Sequence, residues 1–178
     1  MKNINKIKGF TLIELLVVMF ILVSVGAIAT GIFAGVLRGS NKGNNVNDIR
    51  QNGNYVISQM TKMIAYAQSF EGVSQDGFNF STACSTPSPD YSFIKIKSFD
   101  DGETVFSCDN ANSKIASGSA DLIDTTKMKT TVCVFRCSRS SVSVSPTIDI
   151  LFTLTSLNNT LAENNSTISF ETSIKPRN

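Results

Sequence analysis

The chain has 178 residues, of which 42% are apolar and only 17% charged, with a formal net charge of +2. That balance is too apolar for intrinsic disorder and not basic enough for a nucleic-acid binder. Histidine is absent, which excludes every Ser-His or Cys-His mechanism within this chain and makes an ordinary hydrolase an unpromising reading.

The first forty residues carry the densest information. Lys2, Lys6 and Lys8 precede an apolar run with no acid beside them, and from Leu15 to Leu37 no charged residue occurs. By the positive-inside rule the basic end stays in the cytoplasm and the rest of the chain is exported. As a helix, Leu15 to Leu37 would cover about 34 Å, enough for a bilayer core of roughly 30 Å. Glu14 falls inside an otherwise unbroken apolar stretch, where a carboxylate costs about 2.5–3.5 kcal/mol on insertion scales. A cut between Gly9 and Phe10 would create an amine at Phe10, about one helical turn from Glu14 and able to neutralise it within the chain or from a neighbouring subunit.

The series Lys8-Gly9-Phe10-Thr11-Leu12-Ile13-Glu14, followed by an apolar helix, resembles the class III leader of type IV pilins and pseudopilins. The resemblance implies prepilin peptidase as a partner, which cuts after Gly9 and N-methylates Phe10. It also implies that Glu14 pairs with a neighbour's terminal amine during filament assembly. Many pilins carry a proline within the apolar helix and this chain has none there, although Gly26, Gly31 and Gly35 weaken the helix locally. A rival reading takes Ala27-Ile28-Ala29 as an ordinary signal-peptidase site, with a cut before Thr30 releasing a soluble, β-rich exported binding protein. The apolar character continues through Leu37, which argues against it.

Residues 38–47 are mostly polar. Val46, Ile49, Gly53, Val56, Met60, Met63 and Ala67 then recur at intervals of three and four, widened by Ile57 and Ile64. This is the apolar stripe of an amphipathic helix that rests one face on a sheet. A continuous spine from Phe10 to about Gln68 would run roughly 90 Å, with a bend or frayed turn expected at Gly39 and Gly43.

Beyond Glu71 the period becomes two. Residues 72–90 read as a loop. Tyr91 to Phe99 and Thr104 to Cys108 flank Asp100-Asp101-Gly102-Glu103, a hairpin signal, and another strand runs through Thr131 to Arg136. Ile148, Ile150, Phe152 and Leu154 share one strand face, as do Ile168, Phe170 and Ile174, with the Asn- and Ser-rich residues 156–166 joining the two strands. The expected fold is α+β and pilin-like: a long N-terminal helix on an antiparallel sheet of about five strands. The expected division is leader 1–9, membrane and filament-core helix 10–37, amphipathic half 38–70, and an exported β-rich head 71–178. Tyr55 to Met60 and the C-terminal stretch from Ile168 add a loose resemblance to minor pilins and J- or W-type pseudopilins.

Cys84, Cys108, Cys133 and Cys137 all lie in the exported part, so an oxidising compartment would pair them into two disulfides. On a regular strand Cys133 and Cys137 stand ~13 Å apart, too far to bridge, and each pairs with Cys84 or Cys108. A bulge or turn there would permit a local Cys133–Cys137 bond. A four-cysteine zinc site is the sharper reading, weakened by the lack of any C-x2-C pair. Asp100, Asp101 and Glu103 offer oxygen ligands to calcium, although acids in a hairpin turn are ordinarily turn formers. Sequons begin at Asn79, Asn158, Asn164 and Asn165.

The function expected from these residues is a precursor of a minor pilin or pseudopilin, a non-enzymatic subunit of a type IV pilus or type II secretion-like filament. No cofactor, resident metal or nucleic-acid partner is expected. The partners are the prepilin peptidase and N-methyltransferase, other subunits through the N-terminal helix, and the inner membrane before assembly.

Overall fold

A computed structural model describes residues 9–141, 144–157 and 165–177. The leader lysines Lys2, Lys6 and Lys8, the sequons at Asn158 and Asn164, and most of the 156–166 connection lie outside the described residues. The chain divides into two compact units, residues 1–41 and 42–178.

Helix α1 spans Leu12–Ala65 and its hydrogen-bonded turns continue through Gly39 and Gly43, so these glycines do not fray it. A helical glycine costs about 1 kcal/mol relative to alanine, which weakens a helix without breaking it. In the first unit the apolar side chains from Leu12 to Leu37 are exposed, apart from a half-exposed Ser24 among them.

In the second unit the same helix shows a sharply one-sided pattern: Ile49, Gly53, Val56, Met60 and Ile64 are buried. Ile57 and Met63 flank them and are partly buried. The expected stripe is present, with its lower end centred on Ile64 rather than Met63.

Two antiparallel sheets complete this unit. The first has the strand order β1 (Ser69–Ser74), β2 (Phe93–Lys97), β3 (Glu103–Asp109), β4 (Lys114–Ser117) and β5 (Ala120–Asp121). The second is β6 (Met128–Ser138), β7 (Thr147–Ser156) and β8 (Thr167–Ile174). The meander of about five strands expected from the sequence is therefore a five-stranded sheet plus a separate three-stranded one. The strands beginning near Thr131, Thr147 and Thr167 form the latter.

Strand β7 alternates without exception, burying Ile148, Ile150, Phe152, Leu154 and Ser156. The four apolar ones join Ile94, Ile96, Phe106, Ile115, Phe135 and the helix residues Ile49, Val56, Met60 and Ile64 in one core. Fully burying each large aliphatic or aromatic side chain contributes about 1.5–3 kcal/mol, so the core rather than local propensity holds the helix on the sheets.

Part of the expected 72–90 loop is strand. Gly72, Val73 and Ser74 belong to β1, with a bulge between Phe70 and Gly72. Gly72 sits at φ 129°, and a Cβ there would meet the Ser81 carbonyl oxygen at 2.6 Å. Glycine is thus required both by the backbone angle and by the Val73–Ser81 bridge beside it.

The β2–β3 hairpin falls where Asp100-Asp101-Gly102-Glu103 predicts it, with Asp101 at φ 63° and its N–H donating to the Ser98 carbonyl at 3.1 Å. Aspartate tolerates this left-handed position because its short side chain bonds locally.

One edge of the second sheet is closed by pieces that are not strands. Asn110 imitates a neighbouring strand: its Nδ2 donates to the Cys133 carbonyl and its Oδ1 accepts from the Cys133 N–H, both at 2.9 Å. Tyr91 exchanges two backbone hydrogen bonds with Phe135, at 2.7 and 2.8 Å. The Cys137 N–H donates to Ser88 Oγ at 2.7 Å. Successive edge-facing groups of β6 are thereby satisfied, and this edge is unavailable for pairing with another chain.

Candidate functional site

The N-terminal segment holds the residues expected to carry function. Gly9 and Phe10 precede the helix, and Phe10 is 80% exposed. Thr11 is the N-cap: its Oγ1 accepts from the Glu14 N–H at 3.3 Å, and its carbonyl accepts from the Leu15 N–H at 3.2 Å. Thr11-x-x-Glu14 has the spacing of a capping box, with the acid at the third helical position. Glu14 is therefore the acid of the first turn, where the partial positive charge of the helix end favours a carboxylate. Charge and apolar spacing alone give Thr11 no role; the signal that finds it is the S/T-x-x-E pattern.

Farther along, the polar side chains of the apolar run are satisfied within the helix. Ser24 Oγ donates to the Phe20 carbonyl and Thr30 Oγ1 to the Gly26 carbonyl, each at 2.8 Å. Hydroxyls bonded to the carbonyl four residues back leave no unpaired donor to face hydrocarbon. The helix contains an 18-residue stretch apolar enough to cross a membrane, and none of that stretch is buried within the protein. Thr30, the first residue after the rival cut, lies inside this continuous helix.

The four cysteines are placed by β6. Cys133 and Cys137 occupy the same inward face of the strand, both fully buried, in a stretch that pairs regularly with β7 from Val132 to Ser138. Cys133 bonds Cys108 of β3, with Cα atoms 5.3 Å apart, and Cys137 bonds Cys84, with Cα atoms 5.0 Å apart. One bond ties the second sheet to the first and the other ties it to the loop after β1. With all four sulfurs so engaged, the zinc reading of these cysteines is excluded.

Two of the three hairpin acids are engaged by lysines, and Asp100 Oδ1 accepts from the Gly102 N–H at 3.2 Å. Lys97 pairs with Asp101 at 2.8 Å and Lys95 with Glu103 at 2.7 Å. No group of three acids, cysteines or histidines among the described residues is arranged to hold a metal ion.

Three other acids build turns. Asp76 Oδ1 accepts from the Phe78 and Asn79 N–H groups, both at 2.9 Å, and its Oδ2 accepts from Asn79 Nδ2 at 2.7 Å. Led by the Asn79 backbone N–H, then Ser74 Oγ and the Phe78 N–H, these donors hold its carboxyl well below the usual range. Asp109 is lowered chiefly by the Asn112 side chain, and Asp124 chiefly by the Thr126 hydroxyl. The sequon at Asn79 thus has its amide committed to the Asp76 turn.

Residues 4–30 match the family profile described as the prokaryotic N-terminal methylation motif. No curated protein and no solved structure matches the chain. The matched segment takes in Gly9, Phe10, Thr11, Glu14 and the first part of the apolar helix. It supports a class III prepilin leader and hence a type IV pilin-like precursor, a class of structural subunits rather than enzymes. The α+β architecture, a long N-terminal helix on antiparallel sheets, is pilin-like.

Proposed function

We propose that the chain is the precursor of a minor pilin or pseudopilin, cut after Gly9, N-methylated at Phe10 and assembled into a type IV pilus or type II secretion-like filament. The observation that carries this reading is the methylation motif over residues 4–30, running directly into an exposed apolar helix capped by Thr11. Residues 1–9 are the leader, 10–37 the membrane and filament-core segment, 38–70 the amphipathic half of the spine, and 71–178 the exported head. Before assembly the helix anchors the subunit singly in the inner membrane with its leader in the cytoplasm. In the filament, neighbouring apolar helices replace lipid around the same surface. Glu14 then pairs with a terminal amine, because an unpaired carboxylate in that setting is costly. The disulfides support an exported head, since such bonds persist in oxidising compartments.

Intact-mass analysis with N-terminal sequencing of the native product tests the reading. A chain beginning at N-methyl-Phe10 is expected. A chain beginning at Thr30 would establish the soluble exported protein instead, and retention of residues 1–9 in assembled fibres would overturn the filament reading.

A further inference from the structure

At one end of the β6–β7–β8 sheet, four chain segments converge on a cleft of about 220 Å³, lined by Thr86, Ser138, Arg139, Ser140, Thr147 and Lys175 among others. The register brings them together. Ser138 closes β6 opposite Thr147, the first residue of β7, and Ile148 lies opposite Ile174, so Lys175 emerges at the same end. Thr86 follows Cys84, whose bond to Cys137 fixes that loop against β6.

Among the described residues the charge of the cleft is uncompensated, and neither aspartate nor glutamate lines it. Arg136, three residues earlier, is paired with Asp90 at 2.6 Å, whereas Arg139 and Lys175 have no ion pair among the described residues. The Nε of Arg139 is shielded from solvent and has no hydrogen-bond partner among them, so it marks unmatched donor capacity at Arg139 rather than a contact that the cleft itself offers. The space is smaller than the roughly 300–1,000 Å³ of pockets that enclose a whole small molecule, so it admits one charged group. Two separate cations with hydroxyl donors around them suit an anion with three or four oxygens. A carboxylate, with two, leaves donors unmatched.

We infer that this cleft binds one phosphate group, either the free ion or a monoester carried on a small molecule, with Arg139 and Lys175 as its charged anchors. The site is independent of how the N-terminus is processed.

The test uses the full-length chain in detergent micelles, labelled with nitrogen-15 and titrated at constant ionic strength with inorganic phosphate, glycerol 3-phosphate or acetate. The Arg139 Nε–H resonance is expected to move saturably with phosphate. Arg139→Gln and Lys175→Gln are each expected to weaken binding by about ten- to a hundred-fold, the loss of one charge-assisted contact. Lys175 lies beyond the last residue of β8 and is exposed, so its variant keeps the fold and leaves the test decisive even if Arg139→Gln does not. Saturation by phosphate alone assigns the site to the free ion, and saturation by glycerol 3-phosphate assigns it to a monoester. An unmoved Arg139 resonance, an equal response to acetate, or unchanged affinity in Lys175→Gln overturns the inference.

Discussion

The Phe170 ring of β8 occupies the space that a side chain at Gly53 of α1 would fill. Phe170 is also stacked on Phe152 of β7, with ring centroids 5.1 Å apart, so yielding to a new side chain would disturb that stack. Gly53→Ala gains about 1 kcal/mol of helix propensity but overpacks this contact at a cost of about 1–3 kcal/mol. A net loss of stability is expected, read as a lower melting temperature in detergent micelles, with Phe170→Leu in the same chain restoring it. A melting temperature raised by Gly53→Ala alone would show that helix and sheet do not approach so closely.

The disulfide pattern makes a separate prediction. Non-reducing peptide mapping should recover Cys84 linked to Cys137 and Cys108 linked to Cys133, and a Cys133–Cys137 peptide would contradict the regular β6 strand. The closed loops have sequence separations of 53 and 25 residues. On the chain-entropy argument, removing the longer bond costs about 4 kcal/mol and the shorter about 3.5 kcal/mol. Replacing Cys84 and Cys137 by serine should therefore destabilise the head at least as much as the same change at Cys108 and Cys133, measured by urea unfolding.

Acid should loosen the turn at Asp76 in a defined direction. Its folded pKa is depressed from the usual 3.8, so its contribution is complete above the unfolded value and is lost as pH falls through the folded one. Asp109 and Asp124 shift the same way, so their own turns should loosen in the same direction. Hydrogen exchange at the Phe78 and Asn79 amides, compared with that of core amides at the same pH, should show protection above about pH 5 that fades on acidification. In Asp76→Ala that protection should be absent throughout. Protection independent of pH in the unsubstituted protein would refute the assignment of these amides to the carboxylate.

At the N-terminus, Glu14→Ala should leave membrane insertion intact, because it removes a charge that opposes insertion by about 2.5–3.5 kcal/mol. Its incorporation into filaments should fall, since the amine of a neighbour loses its partner. Quantifying the variant in membrane and sheared-filament fractions separates the two effects, and normal recovery in purified filaments would count against the assembly role. Thr11→Ala should weaken the first helical turn by about 1 kcal/mol and leave the carboxylate in place, giving a milder loss.

The primary sequence by itself determined what depends on neighbours along the chain. The leader, glycine, aromatic and acid of residues 8–14 carry a resemblance in their order and spacing, and the uncharged run to Leu37 is plain in composition; the helical stripe from Ile49 to Met60 and the alternation from Ile148 to Leu154 follow from periodicities that covalent geometry imposes. The weakly patterned pieces escaped that reading: β4 and β5 are four and two residues long, and only Ile115 among them is buried. Only the tertiary structure decided that the strands form two sheets, that Cys84 reaches Cys137 and Cys108 reaches Cys133, that Gly53 is glycine because of Phe170, and that Arg139 and Lys175 meet Thr86 at one cleft. Each of these joins segments far apart in sequence, and such partners are set by strand register and close packing, for which no local pattern of residues carries a code.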